Sequence, residues 1–213
     1  MTTSSGLLVR WSGLATMLGG FLYVALNVIY FVFTHGSGES PRDGTLLGFD
    51  ATDYCRMEPI WPVLLMVGLG AFHKRQTQRI SRLGRWGLLA ALIALPTVAL
   101  SWVLQCWVVD PDLYFNSLPV SGGFYLGGMA NLSLLVSMIV YGIATVRARA
   151  HPFWRVLPLA IGLLGAASLL IEVLVLWRLY TYGLSRDLAF VANRAPWGLS
   201  WVVLGYTLWK SKV

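Results

Sequence analysis

The residue of this chain best suited to chemistry is Glu172, a carboxylate well inside the apolar run of residues 157–180. At ~1.5 Å per residue, a helix of that run crosses the ~30 Å hydrocarbon core of a bilayer, which predicts a transmembrane span. An ionisable group inside a span costs on the order of 2.5 kcal/mol or more unless it faces a partner or a wet cavity. Glu172 therefore indicates which face of its helix is turned into the bundle, and helical spacing puts Gly165 and Ser168 on the same face.

Three amide side chains, Asn27, Gln105 and Asn131, fall inside other apolar runs. Helix rise places them, like Glu172, in the outer half of the membrane. If these side chains converge, they line an outward-facing pocket with Ser168, where a carboxyl group or another polar ligand is hydrogen-bonded. The alternative is that the amides pair between helices and hold the bundle together, at roughly 0.6 kcal/mol for each bond. For Glu172 the ligand-binding interpretation is stronger, because burying a carboxylate costs more than burying an amide.

Two cysteines, Cys55 and Cys106, lie on the predicted outer side, before the second apolar run and near the end of the third. An oxidising exterior permits a disulfide that ties the longest loop to the third helix. Sequence alone does not show that the two sulfur atoms approach each other. Two free thiols are therefore the alternative.

Neither a cofactor nor a metal is expected from the residue types present. The three histidines fall outside or at the rim of the apolar runs, so haem ligation inside the bundle has no ligands. The outer aspartates show no recurring ligand spacing, which argues against a metal site. These aspartates are Asp50, Asp53, Asp110 and Asp112.

The composition excludes an ordinary soluble domain. The chain of 213 residues is 57% hydrophobic and 12% charged, and its mean hydropathy is +0.67. These values predict an all-α integral membrane protein that forms a single polytopic domain over residues 1–213. The net charge of +7 would suggest nucleic acid as the partner of a soluble protein. Here the basic residues lie between apolar runs, so anionic lipid headgroups are the expected counter-charge and no nucleic acid is expected.

Six apolar runs predict a bundle of six transmembrane helices arranged as three hairpins. The second and sixth runs are short and begin with proline and tryptophan, so each is expected to extend a little past its limits. The longest segment between runs, residues 34–58, is broken by glycine and proline and is predicted to be an extracytoplasmic loop with a short amphipathic piece. The runs are residues 11–33, 59–72, 86–109, 123–146, 157–180 and 195–209.

Charged residues predict the orientation of the bundle. Basic residues precede the first run, follow the second and fourth, and follow the last, so all of these segments alternate onto one side. That side is predicted to be cytoplasmic, with both termini there, in a multi-pass protein of the cell membrane. Every acidic residue except Glu172 falls on the opposite side.

Three classes of function stay open from the sequence. The first is binding or transport of a small molecule through the outer pocket around Glu172. The second is a non-catalytic accessory or scaffold subunit, which would assemble as an oligomer or with a partner subunit. The third is an intramembrane enzyme with Glu172 as its acid or base. The enzyme is disfavoured, because acid–base catalysis usually needs a second titratable group nearby and the apolar runs hold no other Asp, Glu, His or Lys.

Overall fold

The computed structural model describes residues 3–35, 49–76, 80–108, 118–148, 152–176 and 183–210. Two π-helical segments, Leu104–Val108 and Glu172–Leu176, continue the fourth and sixth α-helices without a break. The α-helices, in chain order, are α1 (Thr3–His35), α2 (Ala51–Met57), α3 (Ile60–Gln76), α4 (Arg82–Val103), α5 (Leu118–Arg147), α6 (Pro152–Ile171) and α7 (Gly183–Lys210).

Five helical stretches are long and apolar enough to cross a membrane, as an all-α membrane protein requires. They correspond to the first five predicted runs. The sixth run lies within α7, which is not among the five. Polar residues and tryptophans around its middle, such as Asn193, Arg194 and Trp197, lower the hydropathy of this helix. The five stretches are Leu7–Ile29, Thr52–Lys74, Arg82–Val108, Tyr125–Arg147 and Val156–Leu174.

The long helices form a ring in chain order. Each packs against its neighbours along the chain, and α7 closes the ring by packing extensively against α1. Large side chains with less than 2% exposure fill the centre, so the described helices enclose a packed core rather than a channel. These side chains are Trp61, Leu65, Leu69, Phe72, Leu95, Leu134, Met138, Tyr141, Ile161, Trp201, Leu204 and Leu208.

The contact between α1 and α7 depends on glycines. Gly13 lies opposite Gly205, and Gly20 lies opposite Gly198, so the two helices run antiparallel with a seven-residue repeat. A Cβ atom on Gly20 would lie 2.6 Å from the carbonyl oxygen of Gly198, which leaves no room for a side chain. Small residues allow this close approach between helix backbones in a membrane protein. The same register brings the C-terminal part of α1 beside the first half of α7.

The last part of the predicted outer loop is helical in the structure. Helix α2 begins after Asp50, whose carboxylate accepts from the backbone N–H of Asp53 at 2.8 Å, while Asp53 accepts in return from the N–H of Asp50 at 3.3 Å. This reciprocal capping box satisfies two amide groups that the start of a helix leaves unpaired. Residues 51–57 of the predicted loop are thus helical because of this local capping, and α2 overlaps the short amphipathic piece predicted within the loop. Residues 36–48 lie outside the described part of the chain.

Antiparallel packing separates the charges of the described residues into two ends of the bundle. The start of α1 contacts the end of α7, and the start of α4 contacts the end of α5, so their basic residues lie at one end. Among the residues whose side chains are described, the opposite end holds the acidic residues Asp50, Asp53, Glu58 and Glu172, together with Arg56 and Arg194. The basic residues at the first end are Arg10, Lys74, Arg82, Arg85, Arg147 and Lys210.

Candidate functional site

Arg194 of α7 holds the carboxylate of Glu172. Its Nε donates to Oε1 at 2.7 Å and its Nη2 donates to Oε2 at 3.2 Å. Two parallel bonds of this kind match the planar guanidinium to the planar carboxylate and are stronger than neutral hydrogen bonds. The side chains of Arg194 and Glu172 are 30% and 18% exposed, so the pair is largely buried but reachable. The acid that the sequence leaves without a counter-ion therefore has one on the following helix.

Asn27 brings α1 into the same network. Its Oδ1 accepts from Nη1 of Arg194 at 3.0 Å, and its Nδ2 donates to the backbone oxygen of Tyr23 at 2.7 Å. The Asn27 residue is only 9% exposed. Both halves of the amide are thus satisfied, as the interior of a membrane protein requires. Arg194 joins three helices through one side chain: α1, α6 and its own α7.

The small and polar face of α6 is turned towards α7. The backbone carbonyl of Ser168 accepts from Nδ2 of Asn193 at 2.8 Å. A Cβ atom on Gly165 would lie 2.7 Å from Nε1 of Trp197, so the glycine makes room for this indole ring. The face shared by Gly165, Ser168 and Glu172 is therefore the one that lies against the neighbouring helix.

Four aromatic side chains lie next to the ion pair, on the side that faces the basic end of the bundle. We call them the aromatic floor: Tyr23, Trp61, Trp197 and Trp201. The ring of Tyr23 is 5.0 Å from Trp61 and 4.8 Å from Trp197 between centroids, both in edge-to-face geometry. Trp197 meets Trp201 at 6.3 Å in the same geometry. Edge-to-face pairs are favourable because the positive ring edge meets the negative ring face. The indole nitrogens of Trp197 and Trp201 are buried and have no acceptor among the described residues.

A second carboxylate, Glu58, lies at the junction of α2 and α3. Its Oε2 accepts from Nε1 of Trp61 at 2.7 Å. The charge of Arg194 attracts Glu58, although the guanidinium group of Arg194 makes its hydrogen bonds to Glu172. Glu58 is half-buried. We call Asn27, Glu58, Glu172 and Arg194 the polar cluster.

The backbone at Glu172 departs from α-helical geometry. Glu172 is the first residue of the π-helical segment Glu172–Leu176 that extends α6. A π-helical turn widens the helix and changes the direction of the side chains that follow it, and such turns are frequent at functional sites. A second π-helical segment, Leu104–Val108, ends α4 and carries Gln105 and Cys106.

Two of the amides predicted to join Glu172 make their contacts elsewhere. Gln105 is 4% exposed, and its Cγ would be 2.9 Å from a Cβ on Gly123, so it is held between α4 and α5. Asn131 is half-buried and donates from Nδ2 to the carbonyl oxygen of Gly127 on its own helix at 2.9 Å. The structure therefore brings Asn27 and Ser168 beside Glu172 or its hydrogen-bonded neighbours, but not Gln105 or Asn131.

Cys55 and Cys106 form a disulfide with a Cα–Cα distance of 5.7 Å. The bond fastens α2 to the π-helical end of α4. Two weaker contacts lie next to it: Nε1 of Trp107 donates to the carbonyl oxygen of Arg56 at 3.4 Å, and the Arg56 guanidinium lies 5.8 Å from the Trp107 ring centroid. Since α2 leads directly into Glu58, the disulfide also restrains one member of the polar cluster.

The described residues contain no group of three or more His, Cys, Asp or Glu side chains that could hold a metal ion. Asp110 and Asp112, two of the aspartates considered for such a site, lie outside the described residues. Asp50 and Asp53 instead form the capping box of α2.

Arg194 and Glu58 are the site residues that sequence reasoning missed. Both lie just before predicted spans, where a charge is ordinarily assigned to the membrane surface. One signal could have identified Arg194. A lone carboxylate inside one span calls for a cation on a neighbouring helix, and Arg194 is the basic residue adjoining the next span.

Comparison of the chain with protein-family models, with curated proteins and with solved structures found no match.

Proposed function

We propose that the chain is a six-span protein of the cell membrane which binds a small polar molecule at the polar cluster, from the extracytoplasmic side. The observation that carries the proposal is the forked ion pair between Arg194 and Glu172, which is buried enough to be costly and exposed enough to be reached. Ionisable residues inside membrane spans are rare and usually functional, because their desolvation is expensive.

Unsatisfied donors below the ion pair support the same proposal. The indole N–H groups of Trp197 and Trp201 have no acceptor among the described residues, and an unpaired buried donor costs about 1–3 kcal/mol. Trp197 lies one helical turn after Arg194. A bound molecule with an oxygen acceptor, or a water that it holds, would relieve this cost.

The orientation is part of the proposal. Basic side chains at one end of the bundle fit the cytoplasmic surface, which puts both termini in the cytoplasm and the polar cluster on the outer side. On this view α7 is the sixth span, despite its low hydropathy. Its buried residues Trp197, Trp201, Leu204 and Leu208 belong to the core shared by all the long helices.

In the conformation described, binding of a small molecule is better supported than its transport across the membrane. Below the aromatic floor the core is filled by apolar residues such as Leu69, Phe72 and Met138, with less than 2% exposure. A transported molecule would need the helices to separate there. Transport is therefore the extension of this proposal that requires a second conformation.

An enzyme that uses Glu172 as its acid or base is less well supported. The side chain that donates to both oxygens of Glu172 is Arg194, which stays protonated in proteins and cannot serve as the second titratable group of an acid–base pair.

An accessory or scaffold subunit is the second candidate, and one observation favours it. Arg194 connects α1, α6 and α7 with three hydrogen bonds, as a purely structural clamp would do. Under this alternative the ion pair orders the bundle and no ligand is needed.

Mass spectrometry of small molecules that co-purify in mild detergent distinguishes the two candidates. Native protein is compared with Glu172→Gln and with the matched control Arg56→Gln. The control removes the exposed Arg56–Asp53 ion pair, which lies at the same end of the bundle. Binding predicts a molecule retained by native protein and the control but lost from Glu172→Gln. If all three folded proteins retain the same small molecules, and only Glu172→Gln loses its partner subunits, the result would support the scaffold and overturn the binding proposal.

A further inference from the structure

The polar cluster has more acidic than basic side chains. Of its described members, Glu58 and Glu172 are acidic, Arg194 is basic and Asn27 is neutral. Glu172 takes both arms of the Arg194 fork, and Asn27 takes its third nitrogen. Glu58 therefore has no ion pair within the part of the chain described, and its hydrogen-bond donor is the neutral indole of Trp61.

The ionised form of Glu58 is costly because the site is poorly hydrated. Glu58 is half-buried and borders Trp61, which is 2% exposed and belongs to the aromatic floor. A carboxylate in such surroundings loses much of its hydration, and one neutral hydrogen bond does not replace it. A positive charge brought by a ligand would stabilise the ionised carboxylate of Glu58.

We infer that the molecule bound at the proposed site carries an organic ammonium group, and that Glu58 is the residue that binds it. The inference rests on the proposed function and narrows its ligand class. The ammonium group would contact Oε1 of Glu58, which has no donor among the described residues, while the carbon portion of the ligand would lie beside the half-buried ring of Tyr23. The ring of Tyr23 is 5.0 Å from that of Trp61 between centroids, and Trp61 donates to the other oxygen of the carboxylate.

An anionic ligand fits the same geometry poorly. To reach Arg194 it would have to displace Glu172 from a forked pair of bonds at 2.7 and 3.2 Å. It would then face two carboxylates, each of which repels it. A metal cation is also a poor fit, since no group of three or more ligating side chains exists among the described residues.

The test compares three probes of the same size that differ in charge: benzylammonium, benzyl alcohol and benzoate. Binding is measured by isothermal titration calorimetry with the protein in nanodiscs of phosphatidylcholine, and empty nanodiscs correct for partition into lipid. We expect saturable binding of benzylammonium alone. We expect Glu58→Gln to weaken it about tenfold or more, which corresponds to the loss of one charge-assisted hydrogen bond.

Two further variants keep the test interpretable. Asp53→Asn removes an exposed acid at the same end of the bundle and should leave the affinity for benzylammonium unchanged. Glu58→Asp retains the charge and should retain binding, which separates the role of the charge from damage to the fold. Thermal unfolding of each variant checks that it is folded.

The outcomes separate this inference from the proposal on which it rests. Equal binding of benzylammonium by native protein and Glu58→Gln, preferential binding of benzoate, or no saturable binding of any probe overturns the ammonium assignment. The binding function itself survives each of these results if Glu172→Gln still loses a co-purified molecule that native protein retains. It fails only if that difference is absent.

Discussion

Arg194 is the side chain on which the candidate site depends. Compared with well-packed apolar residues, a buried ion pair adds little net stability, because desolvation offsets the attraction. Removing one partner is different, since the other charge is left in the interior without compensation. The asymmetry between single and double replacements therefore distinguishes a true interior ion pair from a surface contact.

We expect Arg194→Gln and Glu172→Gln each to lower the free energy of unfolding by about 2–4 kcal/mol, somewhat below the range for fully buried pairs because the site is partly exposed. The double variant should lose much less than the sum of the two, since no unpaired charge remains. Unfolding in mixed detergent micelles, followed by far-ultraviolet circular dichroism, measures these differences.

The control for this cycle is Arg56→Gln. Nη1 of Arg56 lies 3.7 Å from Oδ1 of Asp53, and the two side chains are 47% and 40% exposed. An exposed pair of this kind contributes about 0–1 kcal/mol, so the change should be small. Additive effects of the Arg194 and Glu172 replacements would contradict the forked ion pair.

At the scale of helices, the contact between α1 and α7 positions Asn27 beside Arg194. It is possible because glycines on both helices remove the side chains that would separate the backbones. Any side chain added there must push the two helices apart, and with them the two ends of the hydrogen bond between Asn27 and Arg194.

Replacing Gly20 by alanine tests this contact. The new Cβ would meet the carbonyl oxygen of Gly198 at 2.6 Å and the backbone nitrogen of Val202 at 3.0 Å, and backbone atoms cannot give way cheaply. We expect a loss of about 1–3 kcal/mol, typical of overpacking. Gly128→Ala is the control: no atom lies within 4 Å of its added Cβ, so the higher helix propensity of alanine should make it neutral or stabilising. Equal changes in stability for Gly20→Ala and Gly128→Ala would show that α1 and α7 are not closely packed at these glycines.

The disulfide between Cys55 and Cys106 gives a second prediction at this scale. It closes a segment of 51 positions, and such a bond contributes about 2–4 kcal/mol by restricting the unfolded chain. We expect neither thiol to be alkylated in protein from native membranes until a reductant is added. Mass spectrometry and non-reducing electrophoresis detect the difference. Alkylation of both thiols without prior reduction would exclude the bond.

At the scale of the whole molecule, the separation of charge between the two ends predicts how the bundle sits in the membrane. Basic residues at the ends of α3, α5 and α7 and at the starts of α1 and α4 favour the cytoplasmic surface. A reversed orientation would put the polar cluster on the cytoplasmic side and change which molecules could reach it.

Labelling of single cysteines in intact cells tests this orientation. In a background without Cys55 and Cys106, an impermeant thiol reagent should label cysteines placed at Ser40 or Asn116 and miss those at Gln78 or His151. These four positions lie in predicted loops, outside the described residues. Permeabilised cells, in which all four should react, are the control. Labelling at Gln78 in intact cells would contradict the orientation.

Much of the architecture follows from the sequence because it depends on sums over neighbouring residues. Hydropathy averaged along a span identifies five helices that can cross a membrane. The first five predicted runs agree with these helices except for a few residues at either end. The face of α6 that carries Gly165, Ser168 and Glu172 also follows from the sequence, since helical spacing alone puts these residues together. Glu172 itself could be identified as a candidate because a charge inside an apolar run is conspicuous.

What only the tertiary structure decided is which side chains meet. Arg194 is 22 positions from Glu172 and 167 from Asn27, and no local pattern encodes these separations. They depend on the register between α1 and α7, set by glycine contacts, and on the rotation of each helix about its axis. Gln105 and Asn131 share the depth of Glu172 by sequence, but Gln105 packs against Gly123 of α5 and Asn131 donates to a carbonyl of its own helix. Depth is a one-dimensional property of the chain, whereas convergence on a site requires the packing of the whole ring.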